Sequence, residues 1–450
     1  MSPELNKDST GVVDSAVETV EVAPGTVIEQ HVVELKQTTA RRIGTGAAIV
    51  GLGLVAAVVL GLSAGSSSTT FDLNGNDPGI SVPKFSVPGV GVIVACGVII
   101  MLLGAAQLVR GFSKRTLRWV GICAGVLFLV AFLTWAGTEG KQSVQVGSLL
   151  YQTLFLATPL ILGSMAGVMC EKTGVINVAI EGQMLFGAFA GALFGTIASS
   201  WIGLVAAVLI GGVVGALLAV FAIKFTVNQV ILGVVINAFA LGLTGYLYDA
   251  VMANNGNGTN QPAVFSPIKI PVLGDIPVVG SLLFNQTIIT YLMYAIVIII
   301  DVMLLRSRWG LRTRAVGEHP KAADTVGINV LRLRYQNVII GGGIAGLAGA
   351  ALTIGSVGQF NKNMTSGQGF IALAALIFGR WTPRGALGAS LFFGFASALQ
   401  VALSLLATPV KIDSNLLQML PYLATIFAVA GLVGRVRAPA ADGEPYVKGE

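Results

Sequence analysis

The sequence has few charged residues and almost none of the side chains that build metal or redox sites. Only 11% of its 450 residues are Asp, Glu, Lys or Arg, against about 25% in a typical soluble domain. Its two histidines, His31 and His319, make a histidine-based metal site improbable. The three cysteines show no paired spacing, and we interpret them as small packing residues: Cys96, Cys123 and Cys170.

A phosphate-binding loop of the GxxxxGK[ST] type is also missing. The single Gly-Lys pair, Gly140-Lys141, is followed by Gln142 and has Trp135 where the motif requires its first glycine. The chain therefore cannot bind ATP through that motif. The sequence also shows no nucleophile paired with a base, so it offers no support for a membrane enzyme.

Apolar residues and glycine dominate the chain. Hydrophobic residues make up 54% of the sequence, the mean hydropathy is +0.82, and there are 58 glycines. These figures predict an all-α, polytopic membrane protein, because small residues let membrane helices approach closely. A window of about 20 residues per span gives about 12 hydrophobic segments, near 43–63, 89–109, 119–136, 147–169, 183–199, 201–222, 230–249, 286–305, 336–357, 369–379, 386–407 and 415–434.

These segments divide the chain into four parts. Residues 1–42 are polar and mixed in charge, and we expect them to form a disordered cytoplasmic tail. Residues 43–136 supply three additional N-terminal transmembrane helices. Residues 137–440 form the main membrane core, and residues 441–450 a second cytoplasmic tail. Within the core, segment 369–379 is short for a crossing, which predicts a broken or re-entrant element.

The positions of the basic residues predict the orientation of the chain in the membrane. Cytoplasmic loops collect Lys and Arg. If the N-terminus is inside and all segments cross, no arginine faces out, and the outside receives five of the 27 basic residues: Lys84, Lys141, Lys269, Lys362 and Lys411. We therefore expect a multi-pass plasma-membrane protein with both termini cytoplasmic. The net charge of +6 follows from these loops and does not indicate a nucleic acid partner.

Between Gly174 and Gly182 lies the mostly apolar run VINVAIE, which contains Asn177 and Glu181. Gln183 follows directly after the second glycine. A lone carboxylate in hydrocarbon costs about 2.5–3.5 kcal/mol, so Glu181 should face a cavity or a partner. Interrupted helices of this kind form solute sites in transporters. We favour a role in lining a solute pathway over the alternative that Asn177 and Glu181 only bind neighbouring helices.

Further polar residues extend the candidate pathway. Asn228 is either a helix-start residue at the interface or part of the pathway, and Asn237 is either an interhelical hydrogen-bonding residue or a solute contact. Gln368 and Phe370 follow a Gly-Gln pattern that resembles residues 181–195, which suggests an internal repeat with one interrupted segment in each half. Amides with little charge suit a neutral, hydroxyl-rich solute better than an inorganic ion.

The polar loop 306–334 contains a short helix with recognisable ends. Pro320 suits the first helical position, and Gly327 can take the left-handed conformation that ends a helix. About two turns are too short to be stable alone in water. We therefore predict that this helix docks on a separate, soluble ATP-hydrolysing subunit and that the chain is the membrane half of an ATP-driven importer.

Four stretches carry a family resemblance: TGVINVAIEGQMLFGAF, VNQVILGVVINA, RAVGEHPKAADTVGINV and GFIALAALIFGRWTPRGAL. With them, residues 147–440 resemble the permease subunits of ATP-binding-cassette (ABC) importers of the ribose and branched-chain amino acid type. The likeness is closest to the branch that imports nucleosides and simple sugars. It implies a type II-importer-like permease core over residues 137–440. His319 stands where the family's G-x-N-P-x-A-A-x-x-x-G-I-x-V motif usually has Asn.

The resemblance implies specific partners and a coupling helix. The helix would be received by a cleft on the ATPase subunit through Gly317, Glu318, His319, Pro320, Ala322, Ala323, Gly327, Ile328 and Val330. ATP and Mg would be bound by that subunit, and this chain would need no cofactor or metal of its own. The further partners implied are a second, related permease in a heteromeric pair and an extracellular or periplasmic solute-binding lipoprotein, which would meet the outer loops.

Alternative functions come from other classes. The principal alternative within the importer class is a branched-chain amino acid permease. A secondary transporter would be driven by an ion gradient, and a structural membrane scaffold would tolerate the loss of Glu181. The residues do not distinguish a nucleoside from a pentose.

Overall fold

The computed structural model describes residues 39–448 except 66, 76–80, 140–142, 254–257, 407, 411 and 428–436. The predicted tail at 1–42 lies outside the described residues, apart from residues 39–42, which begin the first helix. Within the described part, ten helices are long and apolar enough to cross a membrane. The prediction of an all-α, polytopic membrane protein is therefore confirmed.

The helices, in chain order, are α1 Thr39–Ser63, α2 Gly89–Arg110, α3 Lys114–Ala136, α4 Val146–Glu171, α5 Ile180–Ile197, α6 Ser200–Lys224, α7 Gln229–Ala253, α8 Val279–Leu283, α9 Ile288–Arg306, α10 Arg308–Glu318, α11 Pro320–Thr325, α12 Val330–Val357, α13 Gln368–Phe378, α14 Pro383–Leu405, α15 Ser414–Gln418 and α16 Leu420–Phe427. The strands are β1 Ser68–Asp72, β2 Phe85–Pro88, β3 Val144–Gln145, β4 Ile268–Lys269 and β5 Asn285–Gln286.

A small sheet joins the three additional helices to the core. Strand β1 pairs antiparallel with β2, placing Ser68 opposite Pro88, and parallel with β3, placing Phe71 opposite Val144. Because β3 leads directly into α4, the sheet connects α1–α3 to the first core helix. The pairing joins residues far apart in sequence, and hydropathy alone did not predict it.

The centre of the core is formed by α4, α5 and α12. In the most apolar 18-residue stretch of each of these helices, 78–89% of the residues are buried within the protein, against 22% for α1. Glycines allow the backbones to approach. A Cβ added to Gly349 of α12 would lie 1.9 Å from the Met184 carbonyl oxygen of α5, and one added to Gly346 would lie 2.1 Å from the Ala207 carbonyl oxygen of α6. Little room remains between these helices for any side chain at either position.

Helix α13 is much shorter than its neighbours. Its 11 residues span about 16 Å at 1.5 Å per residue, about half of a bilayer crossing. The segment predicted at 415–434 corresponds to α15 and α16 and continues into residues 428–436, which are outside the described part. The predicted number of about 12 segments thus corresponds to ten long helices, the short α13 and this last segment.

The arginines at helix ends gather on one side of the bundle. Because consecutive spans run in opposite directions, the start of α1, the end of α2, the end of α9 and the starts of α12 and α14 fall together. These ends carry Arg41, Arg110, Arg306, Arg332 and Arg384. We call this side the arginine-rich end and the other the opposite end.

Candidate functional site

Helix α4 stops at Glu171, and α5 does not begin until Ile180. We call residues 172–179 between them the α4–α5 break. Glu181 follows in the first turn of α5, and its carboxylate accepts three hydrogen bonds from the start of α13: from the Thr365 hydroxyl at 2.6 Å, the Gly367 N–H at 2.9 Å and the Gly369 N–H at 2.7 Å. Glu181 is therefore the N-terminal cap of α13, supplied by another helix.

Two helix N-termini meet at this carboxylate. Helix α5 runs from Glu181 to the opposite end, whereas α13 runs from the same point to the arginine-rich end. Their 18 and 11 residues correspond to about 27 and 16 Å, which places Glu181 between the two membrane surfaces. The positive ends of both helix dipoles favour a negative charge at this position. Interrupted helices that meet within the membrane are the construction that transporters use for solute sites.

Two amides of α7 hold the α4–α5 break. The Asn237 side chain accepts from the Gly182 N–H at 2.8 Å and donates to the Val178 carbonyl at 2.9 Å. The Gln229 Oε1 accepts from the Ile176 N–H at 2.6 Å. These bonds satisfy backbone groups that no helix satisfies, as non-helical backbone at membrane depth requires.

Several amide atoms on residues that flank Glu181 in sequence or begin the helix it caps have no protein partner. Asn177 donates to Gln183 Oε1 at 3.0 Å. In the described part of the chain, Asn177 Oδ1, Gln183 Nε2 and Gln368 Oε1 are buried without a hydrogen-bond partner. Buried polar groups of this kind are normally satisfied, so these atoms offer both donor and acceptor positions to a neutral, polar molecule or to water.

The structure places the predicted pathway residues in two groups. Asn177, Glu181, Gln183 and Asn237 surround the break, and Gln368 begins the helix that Glu181 caps. The other two predicted residues are exposed and take no part in these bonds. Asn228 caps α7 by accepting from the N–H groups of Val230 and Ile231, and Phe370 is 48% exposed.

The predicted short helix in the central loop is α11. The His319 side chain caps it by accepting from the Ala322 N–H at 3.3 Å, and Gly327 takes φ +83° after its end. Ala323 is buried, whereas Ala322 and Val326 are exposed, Val326 by 75%. Ala322 in α11 and Val326 just after its end thus form an exposed apolar surface that another protein can cover.

The remaining residues of the predicted coupling helix flank α11 on both sides. Gly317 and Glu318 end α10, and the Glu318 carboxylate accepts from the Ala440 N–H at 3.3 Å. Ile328 donates its N–H to the Ala323 carbonyl at 3.1 Å. Val330 begins α12 and is buried. The residues predicted to form the coupling helix are thus contiguous at the arginine-rich end.

Several residues that hold this arrangement are not evident from the sequence. Gly367 and Gly369 donate backbone N–H groups to Glu181. Both positions need glycine, because Gly367 takes φ +85° and a Cβ on Gly369 would lie 2.5 Å from the Glu181 backbone nitrogen, but 58 glycines in the chain do not single these two out. In the turn between α13 and α14, the Trp381 indole donates to the Glu171 carboxylate. In the same turn, Arg384 binds Asp301 of α9 at 2.8–3.1 Å.

Residues 441–450 had been predicted as a tail, separate from the core that ended at 440. Within the described residues, Ala441 and Tyr446 are instead buried against the arginine-rich end. Burial raises the pKa of the Asp442 carboxyl and lowers the pKa of Lys172, the first residue of the α4–α5 break. The C-terminal residues therefore belong to the folded core.

Comparisons with known proteins agree with this architecture. A family profile described as "Branched-chain amino acid transport system / permease component" matches residues 149–430. The chain is 42% identical over 306 residues to the guanosine ABC transporter permease protein NupQ of Bacillus subtilis, covering 66% of this chain and 96% of that protein. No solved structure has significant similarity to the chain.

Two further relatives carry different solute names. The nucleoside ABC transporter permease protein NupC of Lactococcus lactis is 36% identical over 303 residues, which is 66% of this chain and 95% of that protein. The putative glucose ABC transporter permease protein TsgC13 of Haloferax volcanii is 33% identical over 313 residues, which is 64% of this chain and 93% of that protein. A second guanosine permease protein of the same Bacillus strain, NupP, is 25% identical over 370 residues.

Proposed function

Since the chain belongs to the family of branched-chain amino acid transport system permease components, we propose that it forms one half of the membrane path of an ATP-driven importer for nucleosides. It is a transport subunit and not itself an enzyme. The single observation that supports this proposal best is the meeting of α5 and α13 at Glu181, beside buried amide atoms without partners.

The chemistry at the break suits a neutral solute. The charge of Glu181 is already matched by two N–H groups and a hydroxyl, so it would not need a cation from the solute. The unpartnered atoms at Asn177, Gln183 and Gln368 include a donor and two acceptors. A nucleoside, with ribose hydroxyls and base edges, can satisfy both kinds of atom, and so can a simple sugar.

Helix α11 would dock on the ATPase subunit. Its exposed side at Ala322 and Val326 is small and apolar, and His319, Pro320 and Gly327 fix where the helix begins and ends. ATP and Mg would be bound by that partner. The arginine-rich end would then be cytoplasmic, consistent with the excess of basic residues in cytoplasmic loops, and both termini would lie on that side.

Two further partners complete the proposed importer. The similarity of this chain to two different guanosine permease proteins of one strain favours a heteromeric pair of permeases over a pair of identical chains. An extracellular or periplasmic solute-binding lipoprotein would deliver the solute at the opposite end, where the small sheet and the loop 258–287 lie.

Radiolabelled uptake by membrane vesicles containing this chain, its ATPase, its second permease and the solute-binding lipoprotein tests the proposed solute. We expect ATP-dependent uptake of labelled guanosine. An excess of other, unlabelled nucleosides should inhibit this uptake, whereas an excess of leucine should not change it. A vesicle whose ATPase subunit cannot hydrolyse ATP is the matched control. If the vesicles take up leucine in preference to guanosine, the amino acid alternative is correct. If they prefer glucose or xylose, the sugar alternative is correct. Uptake stopped by proton or sodium ionophores without ATP depletion would contradict an ATP-driven importer.

A further inference from the structure

Residues 437–447, which we call the C-terminal segment, bridge two parts of the arginine-rich end. The Ala441 N–H donates at 2.9 Å to the carbonyl of Gly317 in the last turn of α10, three residues before α11 begins. Two residues later, the Gly443 N–H donates to the Gly174 carbonyl in the α4–α5 break at 3.2 Å. One short piece of chain is therefore hydrogen-bonded both to the end of α10, close to α11, and to the α4–α5 break that leads to Glu181.

Arg334 clamps this bridge from α12. Arg334 is 1% exposed and has the largest of the fully buried side chains among the described residues. Its Nε donates to the Thr173 carbonyl in the break at 3.0 Å, and its Nη1 donates to the Glu444 carbonyl in the C-terminal segment at 2.9 Å. These two bonds, together with the nearby Asp442 carboxyl, join α12, the break and the C-terminal segment through one side chain. The Arg334 Nη2 is buried, and none of the residues that the structure describes accepts a hydrogen bond from it.

An apolar contact links the C-terminal segment to α11 itself. Tyr446 is buried in one cluster with Ala323 of α11 and Val330 of α12. Along the backbone, by contrast, α11 is joined to α12 through Gly327, which takes φ +83° and has no atom within 4 Å of where its Cβ would be. Helix α11 is therefore connected to the core in two ways: by the backbone that leads to α12 and by the packing of Ala323 against Tyr446.

Two glutamates that flank the break hold the two ends of α13. Glu171, just before the break, accepts from the Trp381 indole beyond the C-terminal end of α13. Glu181, just after it, caps the N-terminus of α13. Any displacement of the break therefore acts on the short helix that meets α5 at membrane depth.

We propose that the C-terminal segment, clamped by Arg334, transmits movement of α11 to the α4–α5 break and through it to α13. Arg334 is then a positioning residue for transport that contacts neither solute nor ATPase. This inference rests on the proposed function, because it requires a motor that moves α11. Physical coupling needs a continuous set of contacts that links the two sites, and these hydrogen bonds supply one.

The test measures coupling in vesicles that contain this chain, the second permease, the ATPase and the solute-binding lipoprotein. Arg334→Met removes both guanidinium bonds, and a chain ending at Val436 removes the C-terminal segment while keeping every described membrane helix. Lys448→Ala, an exposed change beside the same segment, is the matched control. For each, guanosine uptake, ATP hydrolysis and the amount of ATPase retained are measured together.

We expect Arg334→Met and the shortened chain to retain the ATPase and its hydrolysis while uptake per ATP falls about tenfold, the size of effect expected on a coupling route. Lys448→Ala should behave as the unaltered chain. Uptake and hydrolysis falling in the same proportion would indicate a purely structural role and overturn the proposal, as would unchanged uptake. If Arg334→Met fails to accumulate in the membrane, the shortened chain decides. Failure of the unaltered vesicles to take up guanosine would count against the proposed solute instead.

Discussion

Replacing Glu181 with alanine is expected to reduce solute uptake by at least about tenfold while the chain remains in the membrane. The substitution leaves the Gly367 N–H, the Gly369 N–H and the Thr365 hydroxyl without their acceptor. Each buried donor that loses its partner costs about 1–3 kcal/mol, so the start of α13 loses most of what holds it against α5. Initial uptake rates, normalised to the amount of chain in the membrane, measure the effect.

Two comparison variants sharpen this prediction. Glu181→Gln preserves the size of the side chain and one acceptor oxygen but directs an NH₂ group at backbone donors, so we expect an intermediate loss. Asp275→Asn changes a 54% exposed carboxylate in an outer ion pair, which contributes little to stability, and should leave uptake unchanged. Normal uptake by Glu181→Ala would show that the meeting point of the two helices is not needed for transport.

Replacing Ala322 with glutamate is expected to abolish uptake by removing the ATPase from the complex. Ala322 is exposed on α11, so the chain should fold and insert normally, but a charged side chain would be buried without a partner when the helix docks. Such burial costs several kcal/mol, enough to prevent an association of ordinary strength. Co-purification of the ATPase with the permease pair measures the loss.

The neighbouring alanine provides a contrast. Ala323 is buried with Val316 and Tyr446, so Ala323→Glu should destabilise the arginine-rich end and reduce the amount of folded chain. Ala253→Glu is the matched control, because it makes the same change at an exposed alanine that ends α7, at the opposite end of the bundle. This variant should retain the ATPase. Retention of the ATPase by Ala322→Glu would exclude this side of α11 from the docking surface.

Residues whose roles depend on local order could be recognised in the sequence. Pro320 and Gly327 act within a few residues of themselves, so the ends of α11 were predictable. The apolar segments were predictable because the membrane requires about 20 such residues per crossing. Glu181 was identified by the cost of burying a carboxylate, although its partners were not.

Roles that depend on distant backbone groups could not be recognised in this way. Glu181 binds backbone N–H groups, which every residue except proline carries, 186 and 188 positions along the chain. Arg334 lies in a stretch rich in arginines, and its burial and its contacts with Thr173 and Glu444, 161 and 110 positions away, distinguish it. The small sheet likewise depends on strands more than 70 residues apart, β1 and β3.

Site-directed crosslinking from α11 tests the central claim most directly. Val326, 75% exposed, is replaced by cysteine in a chain in which the exposed Cys123 is replaced by serine, and a thiol crosslinker is applied to membranes containing the assembled importer. We expect a covalent product that contains the ATPase subunit and that does not form when Ala322→Glu is also present. A cysteine that reacts with a membrane-impermeant reagent added outside intact cells, or a product without any nucleotide hydrolase, would contradict the account.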